Sequence, residues 1–208
     1  MQTTQYKLVE FFLIFVITPV SFALSFPIWI KMAIGIIGFA YIVFVLLKIE
    51  GNKFKVNENL NWRAFWKRTL LQLAIIIVIT SIYVQLFDAK NLFFMPLKKP
   101  NVWTVILFIY SFFSVYPQEL IYRTFFFQRY EILFKSGTLF LIVNAALFSL
   151  AHIFFRNTLV MFLTFIGGIL FALTFKRTKS TLLVSIEHAI YGCWLFTVGM
   201  GEMLGFPT

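Results

Sequence analysis

Seven stretches of this chain are each too long and too apolar to sit inside a water-soluble core. They run over residues 9–26, 28–48, 69–87, 102–133, 138–155, 158–175 and 180–199. A helix crosses the hydrocarbon of a bilayer with about 20 apolar residues. In lipid every backbone amide must find its partner inside the protein, which favours helices. Of the 208 residues, 61% are hydrophobic and 12% charged, with mean hydropathy +0.89. A soluble domain of this length cannot enclose so much apolar surface. The expected fold is therefore all-α: about seven transmembrane helices in a single bundle, one polytopic domain over 1–208.

The fourth stretch exceeds a simple span and contains Pro117. It is either one long helix kinked at the proline or a span followed by an interfacial helix. The first stretch follows a lone Lys7 as a signal peptide would, but SFALSFP offers no small-x-small cleavage site, so a retained span is expected. The net charge of +10 does not point to nucleic acid, because the basic residues fall in short clusters between the apolar runs. Lys53, Lys55, Arg63, Lys67 and Arg68 share one loop, and Lys176, Arg177 and Lys179 another. Lys7, Arg129 and Lys135 join them if the spans run in order. The positive-inside rule then places the N-terminus in the cytoplasm and the C-terminus outside a cell membrane, with the lipid bilayer as partner. Trp62, Phe65 and Trp66, alternating with basic residues, suit an interfacial helix. One cysteine, Cys193, excludes an internal disulfide.

Ionisable groups are the exception in such a chain. Of eight acidic residues, Glu50, Glu58, Asp88 and Glu202 read as loop or tail residues, Glu131 as interfacial and Glu10 as peripheral. Glu119 and Glu187 remain, and both histidines, His152 and His188, fall in apolar segments. A charge at bilayer depth costs at least roughly 2.5 kcal/mol, which makes such groups functional candidates. If 102–133 is one helix, Glu119 lies beside its midpoint, close in depth to His188. Glu119 and Arg123, at i and i+4, can pair on one face. Asn144, Phe148 and His152 repeat at the same interval. Ser185, His188 and Gly192 share a stripe of the last span, with Glu187 pointing elsewhere, and Gly192 permits a close approach.

Three short motifs carry a resemblance. PQELIYR around Glu119 resembles the Glu-Glu-x-x-x-Arg motif of the CAAX-protease and bacteriocin-processing membrane peptidases. FSLAH, Phe148 to His152, is similar to their Phe-x-x-x-His motif. HAIYG, His188 to Gly192, stands where they have His-x-x-x-Asn or Asp. The resemblance covers residues 101–200, and 1–100 carry only motif-free spans. It departs at Gln118, where the family has its usual general base, and at Gly192, where an Asn would help stabilise an oxyanion. It implies an intramembrane endopeptidase acting on a lipidated, secreted or sorted peptide, without a metal cofactor. Glu119, His152 and His188 are then the catalytic candidates: Glu119 activates a water, His152 helps hold it and His188 donates to the oxyanion or leaving amine. Gln118, Arg123, Phe148, Asn144 and Gly192 support them. Two histidines and a glutamate also suit zinc. A non-catalytic scaffold or chaperone on the same architecture, and a proton-coupled carrier, are the other function classes.

Overall fold

A computed structural model describes residues 3–52 and 60–204. Lys53, Lys55 and Glu58 of the basic loop lie outside the described residues. Among the described residues every regular element is helical. Seven helices are long and apolar enough to cross a membrane: α1 (Thr4–Ala23), α2 (Ile28–Ile49), α3 (Trp62–Phe87), α4 (Pro100–Leu133), α5 (Gly137–Phe155), α6 (Thr158–Thr178) and α7 (Thr181–Val198).

Local chemistry sets where they begin. Thr3, Asn61, Ser136, Asn157 and Ser180 each accept a backbone N–H of the first turn of α1, α3, α5, α6 and α7, the role for which short polar side chains are favoured. Pro100 opens α4, where a missing N–H is harmless. Gly199 ends α7 at φ 113°, in the left-handed region, and a Cβ there would run into the Asn91 carbonyl. The caps move two boundaries from those expected. α1 starts five residues earlier than residue 9, and the expected interfacial helix around Trp62 is the first two turns of α3.

The long fourth segment is one helix, not two. Pro117 withdraws an amide and its ring presses on the carbonyl of Phe113. Phe113 lies in a π-helical turn, Tyr110–Val115, and the wider turn absorbs the proline without ending the helix. A second π-helical turn, Leu120–Phe125, follows Glu119. From within this turn onward Tyr122 to Phe127 are all buried, so this stretch of α4 is enclosed by protein on every side. Phe15 of α1, Ile42 of α2, Phe126 of α4, Phe140 and Phe148 of α5 and Phe171 of α6 belong to one continuous core around it. α5 and α6 approach closely, since a Cβ on Gly168 would lie 2.9 Å from the Ala145 Cα, as small residues allow between membrane helices.

Two readings of charge are corrected at one end of the bundle. Glu10, expected to be peripheral, is 6% exposed. Its carboxylate accepts from Arg129 Nε at 2.7 Å, from the Tyr130 hydroxyl at 2.9 Å and from the Tyr41 hydroxyl. Arg129, expected among the solvated loop charges, is 1% exposed and also donates to Glu50 at 2.7 Å. The start of α1 and the ends of α2 and α4 meet here, and that meeting buries Glu10 and Arg129 together, with Glu50 partly exposed beside them. Lys7 donates to the Arg129 carbonyl and Lys179 faces Glu131, so these two basic residues stand at this same end.

Candidate functional site

All seven helices wall a cavity of about 830 Å³. The motif-free helices contribute residues such as Ile14, Gly38 and Ile76, and its lining is largely apolar. Into this apolar space the C-terminal helices bring polar groups that include Gln118, His152, His188 and the phenol of Tyr110. Polar side chains converging in an apolar pocket are the ordinary form of a small-molecule or peptide site.

His188 anchors the set. Its Nδ1 lies 2.7 Å from Glu119 Oε1. A carboxylate oxygen only accepts, so Nδ1 carries the proton and the free Nε2 is a lone-pair acceptor. The ring stacks on Phe171 with centroids 4.4 Å apart and meets Phe148 edge-on at 5.6 Å. Those contacts lock its plane. His152 follows the last turn of the α-helical part of α5, and its Nδ1 lies 2.7 Å from the Phe148 carbonyl. By the same reasoning its Nε2 is an acceptor. Phe148 stands between the two imidazoles, 4.9 Å from His152.

Glu119 lies behind this wall. It is fully buried, and it is not among the residues that line the cavity. Its carboxylate was expected to meet water directly; instead it meets His188 through Oε1 and Arg123 through Oε2. Arg123 Nε is 3.2 Å from Oε2. That is ion-pair distance, but the N–H does not point along it, so neither atom forms a hydrogen bond. The two attract as charges in a low-dielectric setting. Arg123 is also fully buried. It donates from Nη1 to Asn144 Oδ1 at 2.6 Å and lies over the Phe148 ring at 4.8 Å, a cation–π contact. Asn144 in turn donates to the Tyr122 carbonyl at 2.7 Å. Asn144, Arg123 and Glu119 thus form a buried line that ends on His188.

The residue that faces the cavity at this level of α4 is Gln118. Its amide nitrogen donates to Ser114 Oγ at 2.8 Å and its Oε1 has no partner among the described residues. Gly192 serves a packing purpose. A Cβ built on it would overlap the hydroxyl end of Tyr110, so the absent side chain admits a phenol from α4. His152, His188 and Glu119 are not arranged as a three-ligand metal set, and no such group of His, Cys, Asp and Glu occurs among the described residues.

Sequence reasoning passed over two neighbours. Glu187 was set aside as pointing away from the His188 stripe, yet it is 1% exposed and bonded to Tyr191 at 3.1 Å. Half of α7 is buried, against 11% of α3, so both faces of this helix meet protein. The Tyr191 hydroxyl also reaches Gln72 of α3 at 2.8 Å. Tyr110 has no signature of its own among eight tyrosines. The one sequence signal for it was the glycine opposite.

Comparison with known proteins places this arrangement. No curated protein and no solved structure matches the chain. One family model does, described as Rce1-like, Type II CAAX prenyl endopeptidase Rce1-like, and it matches residues 99–194. The matched stretch runs from the start of α4 to two residues past Gly192, so it contains all three motifs together with Tyr110, Arg123, Asn144, Glu187 and Tyr191. Residues 99–194 of this multi-pass membrane protein are thus similar to the Rce1-like type II CAAX prenyl endopeptidases, a family of membrane proteases.

Proposed function

We propose that the chain is an intramembrane endopeptidase in which His188, held by Glu119, takes the proton of the water that attacks a peptide bond. The observation that carries this reading is the 2.7 Å bond between His188 Nδ1 and Glu119 Oε1 at the cavity wall. A buried carboxylate on Nδ1 fixes the tautomer that leaves Nε2 free as a base, and it stabilises the imidazolium formed when Nε2 takes a proton. Glu119 is then a positioning residue, and the glutamate acts on water through the histidine. His152 Nε2 accepts the second hydrogen of the same water and aims its oxygen. Gln118 is an amide and cannot act as a base.

The substrate class follows from the walls. A peptide tethered in the membrane by a lipid, or by an apolar segment of its own, suits a cavity lined chiefly by apolar side chains of α1, α2, α3 and α6. We place lipidated, secreted and sorted peptides in this class together.

The test is hydrolysis of a panel of fluorogenic peptides, farnesylated and unmodified, by the purified chain in proteoliposomes. Glu119→Gln, His188→Ala and His152→Ala should each abolish cleavage while inserting and eluting as the unaltered chain does. Gln118→Ala should reduce turnover without abolishing it. Chelators should have no effect, and inhibition that zinc reverses would overturn the metal-free mechanism. The amide at position 118 favours one competing reading, a non-catalytic scaffold. Full cellular function of Glu119→Gln would select it.

A further inference from the structure

A glycine in the middle of a helix is less stable than an alanine, because it loses more backbone freedom. Gly192 needs no special backbone angle, as its φ lies outside the left-handed region. What it allows is contact. Tyr110 of α4 seats its hydroxyl against α7 where a side chain of residue 192 would begin, one helical turn beyond His188. The phenol meets the His188 ring edge-on at 6.0 Å and the Phe196 ring at 4.9 Å, which fixes its direction. It lies within electrostatic reach of Glu119. Tyr110 is the first residue of the π-helical turn Tyr110–Val115, a local irregularity found frequently at functional sites.

The hydroxyl is also free. The hydroxyls of Tyr41, Tyr130 and Tyr191 each hold a partner at short range, whereas that of Tyr110 has none among the described residues and faces the cavity. The two imidazoles present acceptors there, because Glu119 and the Phe148 carbonyl hold their protons on Nδ1. The Gln118 nitrogen gives one of its two N–H groups to Ser114. A site that hydrolyses an amide also needs a donor for the developing oxyanion, and the phenol packed edge-on against His188 brings to the cavity wall an O–H without a partner among the described residues.

We propose that the Tyr110 hydroxyl is the oxyanion donor of the site, a catalytic residue for the reaction at His188; the assignment rests on the peptidase reading above. The water oxygen bonds to the carbonyl carbon while the water proton passes to His188 Nε2. The carbonyl π pair becomes a lone pair on oxygen, and the Tyr110 O–H holds that charge without giving up its proton. Collapse restores the C=O bond, breaks the C–N bond and returns the proton from Nε2 to the leaving amine. The products are a carboxylic acid and an amine.

The experiment uses the same peptide panel in proteoliposomes. Tyr110→Phe keeps the ring and its contacts, so its melting temperature should match that of the unaltered chain. Its kcat should fall about 10²–10³-fold, with KM changed no more than about threefold. Tyr110→Ala should be equally inactive. Adding Gly192→Asn to it returns an N–H donor to the vacated place and should recover at least tenfold of the lost kcat. Adding Gly192→Leu instead refills volume without a donor and should recover none. An unchanged kcat for Tyr110→Phe, or rescue by leucine equal to rescue by asparagine, overturns the assignment. Glu119→Gln and His188→Ala run alongside: if both are inactive while Tyr110→Phe is fully active, only the oxyanion assignment fails. If they retain turnover, or the unaltered chain cleaves no peptide of the panel, the peptidase reading fails and takes this one with it.

Discussion

Arg123→Met tests whether the charges at the centre of the molecule are coupled as the geometry implies. Methionine keeps most of the length of the side chain and removes the guanidinium. With it go the 3.2 Å ion pair with Glu119, the 2.6 Å bond to Asn144, the 3.3 Å bond to the Tyr122 carbonyl and the contacts over Phe148 and Phe171. The lost bond leaves Asn144 Oδ1 buried without a donor, at about 1–3 kcal/mol. Glu119, fully buried, is left with the His188 imidazole as its one bonded partner. Breaking such a pair from one side destabilises by about 3–5 kcal/mol. For a chain of this size, 4 kcal/mol corresponds to roughly 10 °C in melting temperature. Glu119→Gln removes the carboxylate charge while its amide oxygen can still accept from His188 Nδ1, so it should be milder. In the Glu119→Gln background, Arg123→Met should lose only the bonds to Asn144 and Tyr122 and the ring contacts. The double-mutant cycle should therefore show a coupling of about 2 kcal/mol. Thermal unfolding in detergent, followed by intrinsic tryptophan fluorescence, measures all four proteins. If Arg123→Met is equally destabilising with Glu and with Gln at position 119, the buried charge is not what Arg123 holds, and the reasoning fails.

Arg129→Ala should destabilise by a similar amount, about 3–5 kcal/mol, because it strands Glu10 inside the bundle end; Glu10→Gln should be milder, since the Tyr41 and Tyr130 hydroxyls can bond an amide oxygen, and the same melts compare them. Gly168→Val drives a Cβ into the Ala145 backbone and should lower stability by about 1–3 kcal/mol; a melt within error of the unaltered chain would refute that helix contact. Gly199→Ala forces a side chain onto φ 113° against the Asn91 carbonyl, and about 1–3 kcal/mol of strain should appear as early unfolding. We propose, from the basic clusters, that residues 49–68 and 176–179 face the cytoplasm and the C-terminus the outside. Labelling of single cysteines in a Cys193→Ala background checks this, and a cytoplasmic C-terminus would refute it.

The number and place of the helices were legible because the constraints on a membrane span are local. Hydrocarbon thickness sets its length and its backbone must bond within itself. The site residues were legible for a related reason: a charge in lipid is expensive enough that Glu119, Arg123, His152 and His188 stand out one at a time. Which of them faces the cavity was not. Gln118 and Glu119 are adjacent on α4, about 100° apart around it, so the rotation of one helix decides whether an amide or a carboxylate meets the cavity. Two π-helical turns flank that point, and helical periodicity is blind to them. The partners of the charges come from other helices: His188 from 69 residues away for Glu119, Arg129 from 119 residues away for Glu10. Glu10 read as peripheral because its own segment says nothing of Arg129, and Glu187 read only as pointing away from the His188 stripe because packing alone shows that α7 is enclosed on both faces. Tyr110 reaches its place because Gly192, on a different helix, leaves room for it. A span is a contract between one segment and the lipid, whereas burial, rotation and pairing are settled between segments, and so belong to the tertiary structure alone.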